Sequence, residues 1–61
     1  MKYASVVWSF DSTSSTPYQL DAYGKVGDKI VVDVSKEYKT FEGLKKGLQD
    51  TVKKIGEEVK L

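Results

Sequence analysis

The feature that most restricts this chain is an apolar stripe near its end. Phe41, Leu44, Leu48, Val52, Ile55 and Val59 recur at steps of 3, 4, 4, 3 and 4. On a helix of 3.6 residues per turn all six share one narrow sector. Lys46, Asp50, Lys53, Lys54 and Glu57 take the opposite side. Thr40 is a suitable N-cap, and Glu42 sits well at the positive end of the helix dipole. Gly43, Gly47 and Gly56 interrupt the segment, each costing about 1 kcal/mol relative to alanine. Local propensity therefore does not hold a helix over about 41–59. It must be held by an apolar surface built from the rest of the chain.

That surface is legible upstream. From Tyr3 to Phe10 the chain alternates, with Ala4, Val6, Trp8 and Phe10 on one face and Tyr3, Ser5, Val7 and Ser9 on the other. Period two with β-branched and aromatic residues predicts a half-buried strand over 3–10. The polar run Asp11–Thr16 predicts an exposed, mobile loop, and Pro17 forces Thr16 into an extended shape that sets up the next strand. Tyr18, Leu20 and Ala22 then alternate with Gln19, Asp21 and Tyr23, a second strand over 18–23. Gly24 to Asp28 reads as a turn with two glycines. A third strand over 29–34 places Ile30, Val32 and Val34 inward, with Val31 and Asp33 outward.

The predicted architecture is α+β: a three-stranded antiparallel meander with one C-terminal helix across a face, in β-β-β-α order within a single domain, 1–61. Its expected core is Val6, Trp8, Phe10, Leu20, Ile30, Val32, Val34, Phe41, Leu44, Leu48, Val52 and Ile55. Two rivals stay open, a two-stranded sheet with a disordered middle and a fourth short strand at Glu37–Phe41. Gly47 and Gly56 flank the stripe on opposite sides and predict a close approach of helix to sheet, the alternative being a helix partly ordered until a partner covers it. Lys45 and Lys46 lie within the Gly43–Gly47 spacing, so it is not a bilayer dimerisation motif.

Composition enters where function is concerned. With 61 residues and neither cysteine nor histidine, no disulfide framework and no zinc site of nitrogen and sulfur ligands can form. The commonest general base and the readiest nucleophile are also missing, so the reading is not an enzyme, without cofactor. Asp21, Asp28 and Asp33 lack the spacing of a calcium loop and read as solvated carboxylates. No run is apolar enough for a membrane span, and the first residues, reaching Ser9 and Asp11 early, read as a mature strand rather than a signal peptide. The lack of cysteine fits a reducing, cytoplasmic setting.

Charge narrows the partners. The ten basic residues are all lysine, set against nine acidic residues, for a net charge of +1. Nucleic acid is disfavoured, since arginine supplies most bidentate contacts and a near-neutral chain has little electrostatic drive. A protein partner is the leading expectation. The candidate contact surface is the sheet face turned from the helix, with Tyr3, Val7, Tyr23 and Val31 as its apolar part and Lys25 and Lys29 beside them. The same tyrosines with Lys2, Lys25 and Lys29 form the alternative, a stacking platform for nucleic acid. Self-association through a thin core, as a homodimer, is the third reading.

The block Lys25-Val26-Gly27-Asp28-Lys29-Ile30-Val31-Val32, after a tyrosine-bearing strand, resembles a group of short phage and prophage proteins over residues 2–34. Those proteins usually continue into another strand, whereas a helical pattern follows here. The resemblance implies a viral or mobile-element accessory protein that binds and modulates a host protein in the host cytoplasm.

Overall fold

The computed structural model describes residues 1–60. Among these, three strands and one helix form: β1 (Lys2–Phe10), β2 (Tyr18–Val26), β3 (Lys29–Tyr38) and α1 (Phe41–Glu58). The strands make one antiparallel sheet in the order β1-β2-β3, and α1 packs over β2 and β3. The β-β-β-α expectation holds. The central place of β2 removes the disordered-middle rival, and residues 35–38 prolong β3 rather than form a fourth strand.

Local chemistry explains the boundaries. Gly24 to Val26 continue β2, so the turn narrows to Gly27 and Asp28. Gly27 has φ +61°, the positive angle that the first central residue of a type II′ hairpin turn requires. The polar loop is tied down: Asp11 N–H donates to Pro17 O at 2.8 Å, and Thr13 donates to Asp11 Oδ1 through its amide at 3.0 Å and its hydroxyl at 2.7 Å. Thr40 caps α1, its Oγ1 accepting from Gly43 N–H at 3.2 Å. The positive-φ Lys60 follows the helix end, and its carbonyl accepts from Lys2 Nζ at 3.1 Å.

Register assigns the faces. Trp8 pairs with Leu20 and Leu20 with Lys36; Val6 pairs with Ala22 and Ala22 with Val34; Ala4 pairs with Gly24 and Gly24 with Val32. Residues directly opposite share a face, so these rows look toward α1. Between Gly24↔Val32 and Lys25↔Ile30 the register skips Val31, a β-bulge. The extra residue reverses the expected assignment at this point. Val31 packs against the core, whereas Ile30 turns to the open face and is 52% exposed.

The helix returns antiparallel to β3. Its start lies by Tyr38, beside Gly43 and Gly47, and its end at Val59 lies by Gly24 and Val32. The twelve residues from Gly47 to Val59 rise about 18 Å and the six from Val32 to Tyr38 about 20 Å, so helix and strand run in step. The core consists of Leu20, Ala22, Val32, Leu44, Ile55 and Val59, with Thr51 buried among them.

Two expected core positions on α1 change place. The buried line runs through Leu44, Thr51, Ile55 and Val59, while Val52 is 55% exposed. The reason lies on the other flank, where the Tyr38 ring covers Gly43 and Gly47 and lets the helix sit toward β3. That roll brings Thr51 inward and lifts Val52 and Phe41 out. Gly47 thus gives the close approach anticipated for it. Gly56 does not, because a Cβ there would meet nothing within 4 Å.

Candidate functional site

The roll of α1 leaves β1 without a full cover, and the consequence is a shoulder of aromatic side chains. Alternation and helical spacing predict Trp8, Phe10 and Phe41 in the core, but they are 48%, 57% and 48% exposed. Together with Tyr18 they make one connected cluster. The ring centroids lie 6.4 Å apart for Trp8 and Phe41, 5.9 Å for Tyr18 and Phe41, and 5.1 Å for Phe10 and Tyr18. Val52 stands eleven residues from Phe41, about three turns, and so extends the same flank of the helix. The rings pack on one another, so the shoulder is preformed.

The open face carries the surface anticipated from alternation, with two residues lost from it and one gained. Tyr3 and Tyr23 come together, their centroids 6.3 Å apart, and Val7 lies exposed on the same face. Lys25 is the register partner of Tyr3. Val31 and Lys29 leave this surface: the bulge turns Val31 toward the core, and Lys29 pairs with Val26 on the helix side. Ile30, opposite Lys25, takes the place assigned to Val31.

The open face is acidic, as the outward positions of Asp21 and Asp33 in the alternation imply. Asp33 pairs with Tyr23, and Asp21 pairs with Val7 and Ser35. Both carboxylates line a shallow depression of about 210 Å³ with Ser5, Val7 and Tyr23. Among the described residues, no three acidic, histidine or cysteine side chains converge as metal ligands. Away from this face, the Asp11 carboxyl is held below the ordinary 3.8, first by the Thr13 hydroxyl and then by the Thr13 amide.

A third feature lies along the outer edge of β3. An open groove of about 350 Å³ separates this strand from α1, lined by Val34, Lys36, Tyr38, Lys46, Asp50 and Lys54 among others. Among the described residues no helix is long and apolar enough to cross a membrane.

Compared with known proteins, the chain matches no family model, no curated protein and no solved structure. Its surfaces are therefore what bears on function.

Proposed function

We propose that this chain is a non-catalytic binding module that docks a protein partner through the aromatic shoulder of β1 and α1. One observation carries the reading: Trp8, Phe10 and Phe41 remain about half exposed in a single preformed cluster. Tryptophan and other large aromatics dominate binding energy at protein interfaces because they bury much area with few rotatable bonds. Among the described residues β1 has a neighbour only on its β2 side, so its outer edge adds backbone donors and acceptors next to the rings.

The inventory of side chains supports a binding role, since neither histidine nor cysteine is present. The acidic open face counts against a nucleic-acid platform, because Asp21 and Asp33 flank Tyr23 where phosphates would have to approach. The resemblance of residues 2–34 to short phage and prophage proteins supplies the finer reading, an accessory protein that modulates a host protein.

Trp8 is the only tryptophan and makes the test direct. Capture from a host lysate should be lost in the Trp8→Ser, Phe41→Ser double variant and kept in Tyr3→Ala, Tyr23→Ala. With the captured partner added back, Trp8 emission should shift to the blue. Capture that survives the first variant, with its circular dichroism unchanged, would sink the assignment. A blue shift produced by protein concentration alone would point to a second copy instead.

A further inference from the structure

We propose that the outer edge of β3 is a second site, which adds an acidic extended peptide as a fourth strand. It lies on the sheet edge opposite the aromatic shoulder and does not depend on it. Among the described residues, β3 has a neighbour only on its β2 side, so half of its backbone groups face outward unpaired by the sheet. The groove beside this edge is lined by three lysines, Lys36, Lys46 and Lys54, and by one acidic residue, Asp50. All three lysines are exposed and border the same cleft. Such a cleft selects anions.

Spacing specifies the occupant further. Lys46 and Lys54 are eight residues apart on α1, about 12 Å along the helix axis. Residues i and i+4 of an extended strand lie about 13 Å apart and on one face. Because α1 runs in step with β3, a strand laid on this edge would bring acidic side chains at i and i+4 to Lys46 and Lys54. Its residue i+2 would meet Asp50, which favours a hydroxyl or a basic group there and excludes a third acid. Main-chain pairing would supply affinity, and the alternating charges would supply register.

The test uses a fluorescein-labelled nonapeptide with Glu at i and i+4, Thr at i+2, and a β-branched background. Fluorescence anisotropy should show saturable binding at physiological salt, with amide shifts in the unlabelled protein concentrated on residues 34–38. Lys46→Glu with Lys54→Glu should weaken binding at least tenfold, checked by circular dichroism for an intact fold. N-methylation of alternate peptide amides should do the same, and Trp8→Ser with Phe41→Ser should change affinity less than twofold. Equal binding of a composition-matched scrambled peptide, or of single-stranded DNA of the same charge, would reduce the site to general anion attraction and overturn the proposal. Absence of binding would overturn it too, leaving the lysines as a guard against edge-to-edge aggregation.

Discussion

Gly24 on β2 and Val59 at the end of α1 meet so closely that no side chain fits between them. A Cβ built on Gly24 would stand 2.9 Å from Val59 Cγ2 and 3.1 Å from Val32 Cβ. Val59 is fully buried by this contact, which seats the C-terminal end of the helix on the sheet. Gly24→Ala should therefore destabilise the fold by about 1–3 kcal/mol, since both neighbours are short β-branched side chains with little freedom to yield. Urea denaturation followed by circular dichroism measures it. No loss of stability would mean that the helix end does not sit on the sheet as described.

Gly56 is the counter-case. It lies exposed in the last turns of α1, and a methyl group added there would find nothing within 4 Å. Gly56→Ala should raise stability by up to about 1 kcal/mol through helix propensity alone. The same denaturation curves compare it with Gly24→Ala, and opposite signs are expected for the two.

The bulge at Val31 makes a paired prediction. Ile30→Lys, on the open face, should stay within about 0.5 kcal/mol of the parent, as surface changes usually do. Val31→Lys should cost about 1–3 kcal/mol, because its side chain packs against the Ala22 and Val32 cluster. The reverse order would show that β3 runs without the bulge.

Trp8 and Phe41 form an edge-to-face pair at 6.4 Å. A double-mutant cycle of their alanine variants should give a coupling of about 0.5–1.5 kcal/mol. Additive effects within about 0.3 kcal/mol would mean that the rings do not touch in solution and that the shoulder is not preformed.

Acid should loosen the loop between β1 and β2. Thr13 bonds the ionised form of Asp11 and so lowers the folded-state pKa below the ordinary 3.8. A lowered folded value contributes stability above the unfolded pKa, and this is lost as pH falls through the folded value. Following the Thr13 amide resonance with pH should give a midpoint below 3.8, and Asp11→Asn should flatten the curve. A midpoint at or above that value would mean that the loop bonds are absent.

Much of this molecule is written in its sequence. Alternation in β1 and β2 and the 3–4 spacing of α1 are local consequences of backbone geometry, and each residue reports its own partners' direction. Leu20, Leu44 and Ile55 could be placed in the core on that basis, as could the pairing of Tyr3 with Tyr23 on the open face. The absence of histidine and cysteine likewise limits the chemistry whatever the fold.

Tertiary structure decided what periodicity cannot express. Whether Phe41 and Val52 or Thr51 lies at the centre of the buried line depends on how α1 rolls, and that depends on Tyr38 filling the space over Gly43 and Gly47. The inserted Val31 shifts one strand's faces by a single residue, a change that alternation in a valine-rich run does not reveal. One helix is also too narrow to cover three strands. Which strand stays bare is settled by packing between distant residues, and here it is β1, with Trp8 and Phe10 left at the surface.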